Sequence, residues 1–277
     1  MLKFRNLFYS KSLVLSGVFT SLMVAAPAYS RTDVLIEESG YELRFDVDKN
    51  RAIEISGLPF AGEYMYSAQQ GILYIRHPKE KETYFLSLAN LYKEIPQAKV
   101  AKIGPAVKQF GVETTEWRIK FPLRTCATVH ASRPAGEDTN LNVADLVNIN
   151  ALLSYLHIVN SETCTFYRLS SATGRVLGLP LWSLVNGTES KVVGIIHNEL
   201  DSHILPKDAK PLTEEMRIHF LSDSLDERRR AIFEQTATHL PVKAQYKVVK
   251  RLLIEQLDPP NMGKSKHWTP PAFPNHQ

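Results

Sequence analysis

Cys126-Ala127-Thr128-Val129, the segment from Asn140 to Leu156, Cys164 and the Gly178-Leu179-Pro180-Leu181 that follows form the stretch around which the chain is organised. Cys126 and Cys164 are its only cysteines. They follow an N-terminus with the order of a secretory signal, so a disulfide between them is the default expectation. The bond would join positions 38 residues apart and contribute roughly 3–4 kcal/mol in the chain-entropy account. Two free buried thiols are the alternative reading. No Cys-x-x-Cys spacing exists to support dithiol redox chemistry.

The N-terminus sets the address. Lys3, Arg5 and Lys11 precede an apolar run from Leu13 to Ala26, and Ala28-Tyr29-Ser30 supplies a small-x-small cleavage site. Residues 1–30 therefore read as a cleavable signal peptide, which places the mature protein in the periplasm or outside the cell, the periplasm being the expectation. Later segments lack the apolar length needed to cross a bilayer. The whole chain carries 33 Lys and Arg against 29 Asp and Glu. Removing the three basic residues of the signal leaves a near-neutral protein, with no excess charge asking for nucleic acid.

Outward from the cysteines, the pattern upstream is β. Tyr41, Leu43, Phe45 and Val47 alternate on one face, and Arg51-Ala52-Ile53-Glu54-Ile55 alternates again after a turn at Asp48-Lys49-Asn50. Tyr64-Met65-Tyr66, Ile72 to Ile75 and Tyr84 to Leu88 continue an antiparallel meander, which needs one face on a core. Leu91 to Ile103 loses the alternation and reads as a connection punctuated by Gly104-Pro105 and Gly111. Strands resume from Val112 to Phe121 and on to Val129, and Ala131 to Asn140 reads as a polar loop.

Val143, Leu146, Val147, Leu153 and Leu156 then give an apolar stripe at helical spacing, inside the expected disulfide loop. A turn around Gly174 leads to a hairpin through Asn186-Gly187. From Ser222 the character turns helical: Ser224-x-x-Glu227 is a capping-box pattern before Leu225 to Leu240. Val242, Tyr246, Val249, Leu253 and Leu257 line one side of a second helix, with lysines elsewhere. Residues 258–277 hold five prolines and read as a flexible tail.

Chemistry-bearing patterns are few. His197, His203 and His219 lack the spacing of a compact metal motif, so no metal is expected. Gly-x-Ser-x-Gly and Gly-rich phosphate loops are absent from the sequence. Glu37-Glu38 and Glu214-Glu215 are adjacent pairs, which point apart and suit solvated positions rather than a catalytic dyad. The sequence thus predicts no enzyme, no catalytic residue and no cofactor. Tyr64, Tyr66, Tyr74, Tyr84 and Phe85 remain: aromatic strands of this kind either line an apolar site or make ordinary core. Tyr246, Lys247, Lys250 and Arg251 of the last helix are candidates for docking a partner; the basic amphipathic helix that carries them reads as one that docks a partner, lies on an anionic membrane surface, or packs its apolar side while its lysines face water.

A signal-like N-terminus, a Tyr-rich meander from Tyr41-x-Leu43-x-Phe45 to Tyr74, a Gly-Pro step, a cysteine on either side of a helix and Gly178-Leu179-Pro180-Leu181 together resemble a set of bacterial periplasmic proteins with the lipoprotein-carrier (LolA-like) fold. The resemblance covers about residues 32–210 and is greatest in the hairpin from Gly178 to Ile196. It implies a curved, incomplete antiparallel barrel closed by helices, holding acyl chains that it exchanges with membrane partners. It makes Tyr64, Tyr66, Tyr74, Phe85 and Trp117 the expected cavity lining. The helices from Ser222 onward have no counterpart in it.

The expected fold is α+β: a curved antiparallel half-barrel over residues 31–221 with a disulfide-tethered helix, a helical segment over 222–257 and a Pro-rich tail. The expected function is non-enzymatic binding of an apolar or amphiphilic ligand, lipid among them, at the cell envelope. An interaction module docking an envelope complex through 222–257 is the alternative. Deleting 222–277 separates the two.

Overall fold

A computed structural model describes residues 31–38, 41–58, 60–77, 82–91, 95–121, 124–157, 167–185 and 188–257. The expected signal peptide, Cys164, the Asn186-Gly187 turn and the tail lie outside the described residues.

The protein is α+β, built on one large, open, curved and mostly antiparallel sheet with six helices among the described residues. A first meander comprises β1 (Arg31–Glu38), β2 (Tyr41–Asp48), β3 (Ala52–Ser56), β4 (Glu63–Ser67), β5 (Ile72–Arg76) and β6 (Thr83–Ser87). A second comprises β7 (Lys99–Gln109), β8 (Val112–Phe121) and β9 (Arg124–Ser132). Then come α1 (Arg133–Thr139), α2 (Val143–His157), α3 (Ser171–Leu177), β10 (Leu179–Val185) and β11 (Thr188–Asn198). The chain ends with β12 (Lys210–Pro211), α4 (Glu214–Asp223), α5 (Glu227–Thr236) and α6 (Val242–Leu257).

The spatial order is β12-β6-β5-β4-β3-β2-β1-β11-β10-β9-β8-β7, antiparallel throughout except for the short β12–β6 pair. β1 joins the halves, pairing with β2 on one side and β11 on the other. The alternation read in β2 holds: Leu43, Phe45 and Val47 are buried on the face that receives the helices. Asp46 and Asp48 are buried as well: Arg31 pairs with Asp46, and the backbone N–H groups of Asn50, Ala52 and His203 donate to Asp48.

α2 occupies the covered face. Its apolar stripe extends almost all round the helix, and every residue except Tyr155 is buried. A helix enclosed on all sides needs polar partners for its polar positions. Asn148 exchanges two hydrogen bonds with the backbone of Leu169, each at 3.0 Å. Asp145 receives Arg51, from the turn between β2 and β3, at 2.6 Å. Phe60 stacks on His157 at 3.6 Å between ring centroids.

Four stretches differ from the sequence reading. Lys99–Gln109 is a strand, not a connection: β7 is the last strand of the sheet, where Pro105 costs no ladder bond on its open side. Residues 133–139 form α1 rather than a polar loop, with Pro134 in the first turn, where its missing N–H is not needed. The turn around Gly174 is α3, capped by the Ser170 hydroxyl accepting from Thr173 N. Helix begins at Glu214, capped by Thr213, well before Ser222. Asp226, not Ser224, caps α5. Phe220, Leu221 and Val249 belong to the same core as β1 to β6, so the helical segment packs as part of that body.

Candidate functional site

The register of β4 to β6 sorts the aromatic residues. Tyr64 sits opposite Ile75, and Tyr66 opposite Leu73, on the covered face. Tyr74 sits opposite Met65 and Phe85, on the other face. Tyr64 and Tyr66 are fully buried, and the Tyr64 hydroxyl donates to Ala61 O at 2.9 Å. Burial pushes the Tyr64 phenol upward. Tyr74 donates to Gln70 Oε1 at 2.8 Å. Between α2 and β8 to β10, the cavity bounded by Val129, Val147 and Tyr167 measures about 10 Å³, room for one water. With α2 in place, this part of the covered face holds no acyl chain.

Trp117, the fifth expected lining residue, lies elsewhere. It sits opposite Val129 on β8 and walls an open groove of about 630 Å³ with Val100, Lys99, Ala172, Val176 and Leu177. The groove runs between the β7–β8 edge and α3. Val176 is 59% exposed there, an apolar side chain turned to water. Lys102 Nζ lies 5.8 Å from the Trp117 ring centroid. The start of β7 is pinned, since Ala98 N donates to Arg168 O and Arg168 N to Pro96 O.

A second groove of about 540 Å³ opens on the other side of α3, and the two share Ala172 and Val176. Its lining has a net positive charge: Arg51, Arg133 and Arg175 against Glu137, with Asn140 and Asn142. Arg51 is held by Asp145 and Arg133 by Glu137. α3 thus stands between an apolar trough with an aromatic wall and a basic trough. Both volumes fall in the range of small-molecule sites. Sequence reasoning missed Ala172, Arg175 and Val176 because a seven-residue helix is too short to show a period. The Ser170-x-x-Thr173 cap was the one signal of it.

Two polar clusters have the composition of metal sites. His77, His219 and Asp223 place donor atoms within 4.8 Å of one another. However, His77 Nε2 and Asp223 Oδ2 are already 2.5 Å apart, a direct hydrogen bond tying the residue after β5 to the last residue of α4. Asp46, Glu54 and His203 form the other group. Burial acts to lower the His203 imidazole, but its bond to Asp46 outweighs this and raises it. Asp46 is held below the usual carboxylate range: burial opposes this, and His203 and Arg31 prevail. His203 N also donates to Asp48 Oδ2 at 3.0 Å, so this group fastens the segment after β11 across β2. Both clusters read as structural ties.

Of the docking candidates on α6, Lys247 and Arg251 are exposed, sharing an outer stripe with Lys243 and Ile254. Tyr246 and Lys250 face inward: the Tyr246 hydroxyl accepts from Arg217 Nη2 at 2.6 Å, and burial lowers Lys250. Cys126 is buried on β9, and no cysteine among the described residues is free. No protein-family model matches the chain, and no curated protein matches it by sequence.

Proposed function

We propose that this is a non-enzymatic periplasmic protein that binds an amphiphilic ligand, a lipid in particular, at the cell envelope. The observation that carries the reading is the pair of grooves flanking α3. An acyl chain suits the trough of Trp117, Val100, Val176 and Leu177, and an anionic headgroup suits Arg133 and Arg175 across the helix. The order of residues 1–30 supports the periplasmic address. A Cys126–Cys164 bond belongs to the same proposal, closing the loop that contains α2. It would keep α2 seated, so that ligand enters the surface grooves rather than the space under the sheet.

Trp117 reports on occupancy. In a W182F/W268F background it is the sole tryptophan, and fatty acids brominated along the chain quench it only on contact. Saturable quenching, lost in V176D and weakened in R175E, supports the reading. Unsaturable quenching, equal in all variants, refutes it.

A second reading has one observation in its favour. The basic outer stripe of α6, Lys243, Lys247 and Arg251 with Ile254, is a surface on which an envelope protein would dock.

A further inference from the structure

The hairpin of β7 and β8 carries features that its own stability does not require. Its two-residue loop is Phe110-Gly111, with both residues at positive φ, 51° and 76°. That geometry fits a type I′ turn, for which Asn-Gly is the low-cost sequence. A bulky aromatic residue in the left-handed region is strained, and such strain concentrates where function holds it. Phe110 gains no packing in return, being 64% exposed.

The neighbours repeat the pattern. Register shifts occur between Lys102 and Gly104 and between Ala106 and Gln109, so Ile103 and Val107 fall outside the ladder. Bulges re-aim side chains, and these two are 47% and 73% exposed. The second bulge is fixed rather than frayed, because the buried Thr114 hydroxyl donates to Val107 O at 2.8 Å. Lys99, Lys102, Lys108, Arg118 and Lys120 lie on the two strands against Glu113 and Glu116 only. A chain that is near neutral without residues 1–30 therefore carries a net positive charge along this hairpin, from Lys108 beside the tip, which pairs with Glu113, to Lys99 opposite Lys120 at the far end.

We infer that this hairpin is a membrane-surface anchor: Phe110 and Val107 enter the interface of an anionic bilayer while Lys108, beside the tip, and Lys102, further along the strand, meet its headgroups. Aromatic and aliphatic side chains below a basic belt are the chemistry of interfacial binding. A strand-pairing protein is the poorer occupant. Pro105, two bulges and three lysines blunt the edge of β7 against added strands. The inference rests on the hairpin alone and needs no ligand beside α3, although the Trp117 groove opens at the foot of the same strands.

Cosedimentation of the full mature chain with vesicles tests it. Binding to phosphatidylglycerol–phosphatidylcholine vesicles that falls with added salt, and is much weaker on phosphatidylcholine alone, is expected. F110N is the decisive variant, since it relieves the turn. It should melt at or above the wild-type temperature yet bind vesicles roughly tenfold more weakly. K102E/K108E should lose the preference for the anionic lipid. F110N binding like wild type, or binding indifferent to lipid charge, overturns the inference. So does the absence of vesicle binding by the folded wild type.

Discussion

The Arg217 guanidinium lies 4.5 Å from the Tyr246 ring centroid and donates to the Tyr246 hydroxyl at 2.6 Å. Tyr155 flanks its other contact at 4.6 Å. The same side chain donates to the carbonyls of Leu156 and Tyr155, in the last turn of α2, where helix carbonyls lack internal partners. One cation thus closes α2, α4 and α6 together. Replacing Arg217 with Ala should cost about 3 kcal/mol in urea unfolding, because it strips partners from the carbonyls and the phenol at once. Arg217→Lys should recover little of this, lacking the planar fork.

Glu38 presents the opposite situation, a buried acid with no partner among the described residues. Neither carboxylate oxygen is hydrogen-bonded among them, and the residue sits opposite Ser190, whose hydroxyl is engaged with Ser183 at 2.6 Å. Burial pushes its carboxyl up to about 10. A pKa raised in the folded state gives stability that is complete below the unfolded value, near 4.5, and is lost as pH climbs toward the folded one. Wild type should therefore lose about 3 kcal/mol between pH 5 and pH 7.5, relative to Glu38→Gln. Parallel denaturation curves for the two proteins across that range would remove Glu38 as the source.

His203 titrates with the same sign over a different window. Its raised imidazole contributes stability below the ordinary value of 6.5 that disappears as pH rises through the folded value. His203→Asn should destabilise by about 1 kcal/mol more at pH 5.5 than at pH 8.5. The segment after β11 should loosen first, visible as faster amide exchange around His203.

How much of this was legible in the sequence follows from how local each signal was. The meander of β2 to β6 was readable because period-two alternation needs only neighbours, and α2 because its leucines and valines recur over fifteen residues. β7 was hidden by Gly104-Pro105, which breaks a central strand but is tolerated at an edge, and edge position is a property of the whole sheet. Tyr74 and Phe85 looked like partners of Tyr64 and Tyr66. Only the register shows that they face the other way. The basic groove was beyond reach, because Arg51, Arg133 and Arg175 meet only through the packing of α3 against α1 and α2.

Gly178 is where that packing can be challenged with the smallest change. It sits at φ 84° between α3 and β10, and a Cβ there would lie 2.1 Å from Ser132 O and 2.4 Å from Arg133 Cα. Both are backbone atoms, so no side chain can swing away. Gly178 O also accepts from Val143 N, which fixes the start of α2. Gly178→Ala should therefore cost about 3 kcal/mol or more, combining the left-handed penalty with a collision against β9 and α1. Gly104→Ala is the matched control: nothing lies within 4 Å of its Cβ position, and its effect should stay below about 1 kcal/mol. Thermal unfolding of the pair reads this directly. Because Gly178 also borders the basic groove, any Gly178→Ala protein that still folds should bind an anionic amphiphile more weakly, whereas Gly104→Ala should not.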